Sequence, residues 1–283
     1  MAKLLLGKEV NSSINERVSE DVRLLKEKGI SPTLGIVRVG EREDDLSYER
    51  GASKRCETLG VAVKKFVLPA DVSQDELMKV IDEVNNDDEI HGVLIFRPLP
   101  KHLDERAVIN ALKPEKDVDG ITAGSMYGVF TGEPVGYPPC TPQACMEILD
   151  YYGIDCKGKN AVVIGRSLVV GKPAAMMLLK KNATVTVCHT KTVNMPEIAR
   201  NADILIVAAG RAGVIGKDYV SEGQIIIDVG INVNDEGKLC GDVLFEEAEP
   251  VAGMITPVPG GVGAVTTSVL VEHVVQAAKK LLY

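Results

Sequence analysis

The chain has 283 residues, with 32 Lys and Arg against 40 Asp and Glu, which gives a formal net charge of −8 at pH 7. A hydrophobic fraction of 45% excludes a wholly disordered chain, and the length suggests about two domains at roughly 150 residues each. The acidic balance and the absence of a basic run argue against nucleic acid or an anionic membrane as a partner. We therefore expect an acidic globular protein.

Two apolar segments resemble membrane signals and are excluded for different reasons. Residues 4–6 form an apolar run that is too short for the core of a signal peptide. Residues 251–271 carry no charge, but prolines and glycines in their first half exclude a regular apolar helix. We expect a loop that lines a site, followed by a helix, in a soluble protein of the cytoplasm.

The cysteine pattern predicts neither disulfides nor a zinc site. No two cysteines form a C-x-x-C pair, and the four histidines are scattered along the chain. Without a secretion signal the thiols should stay reduced, so we interpret the cysteines as small buried apolar residues. They are Cys56, Cys140, Cys145, Cys156, Cys188 and Cys240.

The first half of the chain alternates between helical and extended patterns. Apolar residues at every third or fourth position predict a helix over 10–25, which Gly29 ends. The further expected elements are strands at 33–39, 61–67 and 92–96 and helices at 44–59 and 73–84. The strands begin about 30 residues apart, the length of a βαβ unit. A Gly- and Pro-rich loop is expected from residue 113 to residue 139.

The second half repeats the alternation after a helix at about 141–152. The expected elements are strands at 160–164, 184–188, 204–208 and 224–229, a helix at 173–181 and an amphipathic C-terminal helix from about residue 271. Two α/β layers joined by a helix favour two lobes with a cleft between them. The fold class is therefore α/β.

A candidate nucleotide site lies in the segment AVVIGRSLVVGKP, residues 161–173. A buried strand leads into Gly165, and Gly171 opens the next helix, so that backbone N–H groups at a helix N-terminus could hold a pyrophosphate. The glycine spacing is not G-x-G-x-x-G, and an ordinary strand–turn–helix connection explains it equally well.

The tip of the following strand indicates which dinucleotide would bind. An NAD-specific Rossmann domain often carries a carboxylate there, whereas this chain has Cys188, His189, Thr190 and Lys191. With Arg166 close by, these groups suit a 2′-phosphate and hence NADP. A solvated loop with incidental cations is the alternative interpretation.

Several motifs together resemble one family over about residues 33–270. They are VRVGEREDDLSYERG, RPLP, PEKDVDG, PCTPQACMEIL, GRSLVVGKP, TVTVCHTKT, ADILIVAAG, IIIDVGIN and ITPVPGGVGAVT. The chain resembles the 5,10-methylenetetrahydrofolate dehydrogenase/cyclohydrolase (FolD) family. The resemblance implies a folate-binding domain at 1–140 with the C-terminal helix 266–283, and a Rossmann-like NADP-binding domain at 141–265. It also implies a homodimer built through the second lobe.

The resemblance assigns roles to individual residues. Tyr48 matches the Tyr that stacks on the pterin, and Asp119 matches the carboxylate that accepts from the amino-pyrimidine edge; Asp119 could otherwise be a turn residue before Gly120. The loop against the substrate and the nicotinamide matches Pro259, Gly260, Gly261, Val262 and Gly263. The cofactor-binding positions match Gly165, Arg166, Ser167, Gly171, Thr190 and Ile231.

Two departures from the family pattern bear on its second activity. Ala52 stands where the family has Lys, and Phe96 stands where it has Gln, and both positions border the substrate. The resemblance implies that this Lys and Gln form the cyclohydrolase machinery. Hydride loss from the methylene carbon needs positioning but no proton transfer by a side chain, whereas hydrolysis of the methenyl product needs an acid–base group.

We therefore expect an NADP-dependent methylenetetrahydrofolate dehydrogenase of one-carbon metabolism with weak or absent cyclohydrolase activity. Three alternatives stay open at this point. The chain could be bifunctional, it could be another two-lobed dehydrogenase such as a shikimate-like one, or it could be a folate-binding paralogue without catalysis.

Overall fold

The computed structural model describes residues 1–234 and 236–282. The chain divides into two compact units. The first, here the three-stranded unit, comprises Ile14–Cys140 with Thr267–Tyr283, and the second, the six-stranded unit, comprises Met1–Ser13 with Thr141–Thr266. Within the described ranges, no helix combines the length and the apolar character needed to cross a membrane.

The strands and helices alternate through most of the chain. The strands are β1 (Lys3–Leu4), β2 (Thr33–Val39), β3 (Ala62–Leu68), β4 (Gly92–Ile95), β5 (Asn160–Ile164), β6 (Thr184–Cys188), β7 (Ile204–Val207), β8 (Ile225–Asp228), β9 (Asn232–Val233), β10 (Leu239–Cys240) and β11 (Met254–Ile255). The helices are α1 (Gly7–Glu27), α2 (Glu43–Leu59), α3 (Gln74–Asn86), α4 (Glu105–Ala111), α5 (Ala123–Thr131), α6 (Cys140–Tyr151), α7 (Gly171–Lys180), α8 (Met195–Arg200), α9 (Phe245–Ala248) and α10 (Val262–Lys279). This alternation confirms the predicted α/β class.

The three-stranded unit is built on a parallel sheet in the order β3-β2-β4. Strand β2 is central, and six of its seven residues are buried, as expected of a parallel strand covered on both faces. Leu34 lies opposite Val63 on one side and Gly92 on the other. The predicted capping box at Ser73 is present, since its hydroxyl accepts from the N–H of Glu76 at 3.3 Å.

The six-stranded unit is a parallel sheet in the order β1-β11-β8-β7-β5-β6, with a separate β9–β10 hairpin. Its central strands are apolar and buried, and β5 and β6 have the bounds expected from the sequence. The carboxyl ends of β5, β6, β7 and β8 lie along one edge of this sheet, because neighbouring strands run parallel. Ligands of open α/β sheets bind at such an edge.

The first thirteen residues correct the predicted domain boundaries. They were expected in the first domain, but they group with the six-stranded unit. The reason is that β1 adds to the edge of that sheet, where Lys3 pairs with Met254 and Leu4 with Ile255 in parallel register. The other divisions, after Cys140 and after Thr266, lie within one residue of the expected ones.

Two segments are more helical than their composition predicts. The expected loop at 113–139 contains α5, whose N-cap Thr122 accepts from the N–H of Ser125 at 3.1 Å. Helix α10 begins at Val262, directly after the glycine-rich loop and well before the expected start near residue 271. Glycines in α5 and β-branched residues in α10 are weak helix formers, so capping and burial stabilise both helices more than propensity does.

A buried ion cluster joins α2 to the sheet of the three-stranded unit. The Nε of Arg38 on β2 donates to Oε2 of Glu49 at 2.7 Å, and Nζ of Lys65 on β3 lies 2.8 Å from Oε1. Arg38 also donates to the carbonyl of Gly40. Burial acts to raise the pKa of Glu49, but the hydrogen bonds from Lys65 and Arg38 together hold that pKa below its usual value.

We expect Arg38→Met to destabilise the fold by about 3–5 kcal/mol, because it leaves a buried carboxylate with one cation fewer. Urea unfolding at pH 7 measures the loss. The depressed pKa of Glu49 means that this stabilisation is present above its unfolded value and is lost as the pH falls through the folded value. The difference between Arg38→Met and wild type should therefore shrink in acid.

The matched control is Arg23→Met. Arg23 pairs with Glu20 and Glu27 on exposed faces of α1, so its loss should leave the unfolding midpoint nearly unchanged. Equal shifts in the two variants would contradict a stabilising role for the buried cluster.

Candidate functional site

A cavity of about 390 Å³ opens at the carboxyl ends of β5, β6 and β7 in the six-stranded unit. Its lining residues come from the loops after these strands and from α8 and the segment beyond it: Ile164, Gly165, Arg166, Ser167, His189, Thr190, Met195, Ala208, Ala209, Arg211, Val214, Ile215 and Tyr219. The position matches the edge at which doubly wound sheets bind nucleotides.

Two glycines let the backbone approach itself closely at this edge. Gly165 has φ of +129°, and a Cβ there would collide with the carbonyl oxygen of Ala208. A Cβ on Gly171 would collide with the backbone of Gly165. The turn between β5 and α7 is therefore packed against β7 and against the start of α7, a contact that only glycine permits at both positions.

The structure brings four of the six predicted cofactor residues to one cavity: Gly165, Arg166, Ser167 and Thr190. The Ser167 hydroxyl oxygen accepts from the N–H groups of Val170 at 3.0 Å and Gly171 at 3.4 Å, so it also shapes the turn. Gly171 is buried at the start of α7 instead of lining the cavity. Their roles toward a cofactor stay predictions.

Two guanidinium groups line this cavity without an acidic partner among its lining residues. Arg166 and Arg211 contribute them, His189 lies with them, and no Asp or Glu is in the lining. Unpaired guanidinium groups in a concave site suit a phosphate ester, and this donor set fits the phosphates of a dinucleotide. Sequence reasoning missed Arg211, although its place just after a buried parallel strand was a usable signal.

A second cavity, of about 280 Å³, lies beside the glycine-rich loop of the same unit. Four predicted residues of that loop line it, Pro259, Gly260, Gly261 and Gly263, together with Ile231. Val262, the fifth predicted residue, is 2% exposed and instead begins α10 from within the core. Ile231 thus lies with the loop, apart from the other predicted cofactor residues.

In the three-stranded unit, Tyr48 on α2 contacts Phe96, which follows β4. The ring centroids are 5.9 Å apart with the planes at 82°, an edge-to-face arrangement. Ala52, one turn after Tyr48 on α2, is fully buried, and Phe96 is 8% exposed. Ala52 and Phe96, the two positions expected to depart from the family pattern, are therefore apolar and largely closed to solvent.

Asp119 lies close enough to Tyr48 to influence the ionisation of its hydroxyl. Burial raises the pKa of the Tyr48 hydroxyl well above its usual value, with further contributions from Cys140 and Asp119. Burial, reinforced by the nearby carboxyl of Asp117, raises the pKa of Asp119 to about 6. The nearby Cys140 thiol and the Arg97 guanidinium act in the opposite direction and lower the pKa of this carboxyl.

Asp117, two residues earlier, has the opposite environment. Its carboxylate accepts from the N–H groups of Ile121 at 3.0 Å and Thr122 at 2.7 Å and from the Ser125 hydroxyl at 2.6 Å. Asp117 is thereby committed to holding the start of α5. In the motif PEKDVDG, one carboxyl is structural and the other retains acceptor capacity for a ligand.

The sequence did not point to the residues that hold the backbone next to Asp119. His273 on α10 donates from Nδ1 to the carbonyl of Val118 at 2.8 Å, and the Cys140 thiol lies 3.3 Å from the same oxygen. The Tyr137 ring packs on His273 with centroids 5.2 Å apart. Their spacing in sequence gave no signal, because α10 returns to this unit from the far end of the chain.

Comparisons with known proteins identify a family over almost the whole chain. Residues 5–119 match the family model described as tetrahydrofolate dehydrogenase/cyclohydrolase, catalytic domain, and residues 139–282 match the model of its NAD(P)-binding domain. A relative from Carboxydothermus hydrogenoformans, named bifunctional protein FolD, is 54% identical over 99% of both chains.

Solved structures agree with the sequence relatives. The bifunctional FolD methylenetetrahydrofolate dehydrogenase/cyclohydrolase of Campylobacter jejuni is 40% identical, with a TM-score of 0.96 over 99% of this chain and 100% of that one. The methylenetetrahydrofolate dehydrogenase-cyclohydrolase of Trypanosoma brucei, solved with NADP and an inhibitor, is 34% identical, with a TM-score of 0.92 over 99% and 98% of the two chains.

These names favour the bifunctional alternative and do not support the predicted loss of cyclohydrolase activity. The family models likewise remove the shikimate-like alternative, since both halves of the chain match one family. The chain belongs to the tetrahydrofolate dehydrogenase/cyclohydrolase (FolD) family, with a catalytic domain followed by an NAD(P)-binding domain.

Proposed function

We propose that this chain oxidises 5,10-methylenetetrahydrofolate to 5,10-methenyltetrahydrofolate with NADP and then hydrolyses that product to formyltetrahydrofolate. The observation that carries the proposal is that one chain matches both family domains and retains chemistry suited to each ligand. Asp119 keeps acceptor capacity in the three-stranded unit, and a cationic cavity lies in the six-stranded unit.

In the first reaction, Tyr48 and Asp119 hold the pterin. The Tyr48 ring packs against Phe96 with the two ring planes at 82°, a contact that restrains the plane available for stacking. An ionised Asp119 accepts from the adjacent N–H groups of the amino-pyrimidine edge. NADP supplies the hydride acceptor, and the lone pair of a ring nitrogen in the substrate helps to expel the hydride from the methylene carbon. No side chain has to move a proton, so positioning and exclusion of water suffice.

The second reaction, unlike the first, requires groups that can transfer protons. Water must add to the methenyl carbon, and protons must be relayed away from it. Neither Ala52 nor Phe96 can accept or donate a proton, so hydrolysis in this chain depends on water and on the ionisable groups near Tyr48. The names of two relatives favour this activity here.

A homodimer built through the six-stranded unit, a cytoplasmic location and the absence of nucleic acid partners stay predictions of this proposal. A folate-binding paralogue without catalysis is the contrary outcome. It is separated from the proposal by whether purified protein forms NADPH when it is given methylenetetrahydrofolate and NADP.

Arg166→Ala should weaken NADP binding roughly 10- to 100-fold, because a charge-assisted hydrogen bond to a phosphate is lost. NAD binding should change much less, since NAD lacks the 2′-phosphate. Steady-state kinetics with each cofactor measure the two effects. An equal loss with both cofactors, or faster wild-type turnover with NAD, would contradict the preference for NADP.

Asp119→Asn should weaken folate binding while it stabilises the ligand-free protein. The amide turns an N–H toward the N–H groups of the pterin, at a cost of roughly 1–3 kcal/mol in binding. The pKa of about 6 exceeds the unfolded value, so the folded state favours protonated Asp119, and stability declines as the pH rises from about 4 to 6. Removing this titration should raise the unfolding free energy at pH 7.5 by about 1–3 kcal/mol, with little change at pH 4.

Titration of the ligand across pH tests the same carboxyl independently. Wild-type folate affinity should fall roughly tenfold per pH unit below 6 as Asp119 protonates, and the Asn variant should lack this dependence. NADP affinity serves as the control and should be equal in the two proteins. Intact folate affinity in a folded Asn variant would remove Asp119 from the site.

Wild-type protein should hydrolyse methenyltetrahydrofolate faster than a no-enzyme control. Ala52→Lys with Phe96→Gln should raise the ratio of hydrolysis to oxidation by up to roughly 100-fold, since general acid–base catalysis contributes about that much or more. Following methenyl and formyl products together gives both rates. Phe96→Gln alone is the control, because it opens space beside Tyr48 without adding a base.

Two results are informative if this expectation fails. Stoichiometric accumulation of the methenyl product, with hydrolysis equal to the no-enzyme rate, would refute the hydrolytic half of the proposal and leave oxidation standing. Failure to form NADPH at all would refute both halves.

A further inference from the structure

We propose that Arg211 is a second guanidinium for the 2′-phosphate of NADP and therefore sets cofactor preference together with Arg166. The inference rests on the proposed function, because it assumes that the cationic cavity of the six-stranded unit holds the adenosine end of NADP. The inference adds a residue that determines cofactor preference. Arg211 follows β7, whereas Arg166 lies in the glycine turn after β5.

The sheet brings the two arginines to one cavity. Strands β5 and β7 pair in parallel, with Ile164 opposite Val207 at their carboxyl ends. Arg166 follows β5 by two residues and Arg211 follows β7 by four, and both line the cavity of about 390 Å³. Thr190 and His189, from the loop after β6, line the same cavity.

The backbone of Arg211 is fixed by a buried carboxylate. Asp242 is fully buried, and its two oxygens accept from the N–H groups of Gly210 at 2.8 Å and Arg211 at 2.9 Å. The amide of Asn232 donates to the same carboxylate at 2.9 Å. The base of the Arg211 side chain is therefore held in place, as a preorganised binding group requires.

The guanidinium itself is available to a ligand. Arg211 is exposed, and within the described ranges no carboxylate lies at ion-pair distance from its guanidinium or from that of Arg166. The cavity also lacks an acidic lining residue. Two unpaired arginines facing one concave site repel each other unless an anion joins them, and a dianionic phosphate monoester can accept from both forks.

The 2′-phosphate fits this position better than the pyrophosphate does. In a doubly wound sheet the pyrophosphate lies at the helix N-terminus after the first strand, which here is the Gly165–Gly171 turn into α7. The group on the adenosine ribose lies toward the tip of the next strand, here Thr190. Arg211 shares its cavity with that tip and also with Gly165 and Ser167 of the turn. We assign it to the phosphate at the tip, which distinguishes NADP from NAD, because backbone N–H groups of the turn already serve the pyrophosphate.

Binding of two small probes isolates this contact from catalysis. Calorimetric titration with 2′,5′-ADP and with 5′-AMP compares ligands that differ in the 2′-phosphate alone. Arg211→Met should weaken 2′,5′-ADP roughly 10- to 100-fold and change 5′-AMP by less than about twofold. Arg211→Lys, which keeps the charge but loses the fork, should show a smaller loss for 2′,5′-ADP alone.

The matched control is Lys159→Met. Lys159 is an exposed cation immediately before β5, at the opposite edge of the sheet. The Lys159→Met substitution removes one positive charge from the six-stranded unit, as Arg211→Met does. An unchanged affinity for 2′,5′-ADP in this variant therefore excludes a general electrostatic effect. Arg166→Met tests the cavity itself.

The outcomes distinguish failure of the role proposed for Arg211 from failure of the proposed cofactor site. Wild-type affinity for 2′,5′-ADP in Arg211→Met, with a loss in Arg166→Met, overturns the role of Arg211 and leaves the proposed function intact. Equal losses for both probes in Arg211→Met also overturn it, because the side chain would then serve adenine or the fold. Binding of neither probe to wild type overturns the cofactor site. If Arg211→Met does not fold, Arg211→Lys decides, and an unchanged affinity in that variant overturns the proposal.

Discussion

Two neighbouring buried carboxylates hold together the edge of the six-stranded sheet on which the cofactor and loop cavities depend. Asp228, at the end of β8, accepts from the N–H groups of Gly230 at 2.9 Å, Asp242 at 3.1 Å and Val243 at 3.0 Å. Asp242 in turn accepts from the loop after β7. Three loops are thereby joined through backbone groups, and the positions of Arg211 and Ile231 follow from that joining.

Burying these two carboxyl groups close together is electrostatically unfavourable. Burial raises the pKa of Asp228 to about 6, although three backbone N–H groups act to lower it, and Asp242 lies close by as a second acid. The hydrogen bonds offset this penalty, because one carboxylate can accept from several backbone N–H groups where the chain turns sharply. Apolar residues of similar size would leave those donors buried and unpaired.

The three-stranded unit also contains two neighbouring carboxyl groups, Asp117 and Asp119, but their environments differ. Asp117 accepts three hydrogen bonds and holds α5, whereas burial and the neighbouring Asp117 carboxyl raise the pKa of Asp119. A buried carboxyl with few donors gains most from a ligand that brings N–H groups. The raised pKa of Asp119 therefore supports its proposed role in ligand binding.

The sequence was sufficient for the elements that depend on local pattern. Strands β5 and β6 were predicted with their observed bounds, because buried β-branched runs with turn residues at each end leave little choice. Helix α5 was missed because its glycines argue against a helix, whereas capping by Thr122 and the three hydrogen bonds to Asp117 decide it. No local pattern reveals those contacts.

The candidate site followed the same rule. Arg166 and Thr190 were found because they follow the first two strands of the nucleotide-binding half, where motifs are known to lie. Arg211 was missed although it follows a predicted buried strand, which was a usable signal. His273 was missed because its place depends on the return of α10 to the three-stranded unit. That return is topological, and spacing in a single sequence does not encode it.

The two activities of the family place unequal demands on the side chains around the substrate. Oxidation is governed by how the pterin and the nicotinamide are held, and side chains that carry no proton can serve it. Under the proposed function, the closed, apolar contact of Phe96 with Tyr48 would favour oxidation by excluding water. Hydrolysis instead needs water at the methenyl carbon, and neither Ala52 nor Phe96 has a group that can accept or donate a proton there. Family membership thus constrains the fold and the cofactor more tightly than it constrains the path of the proton.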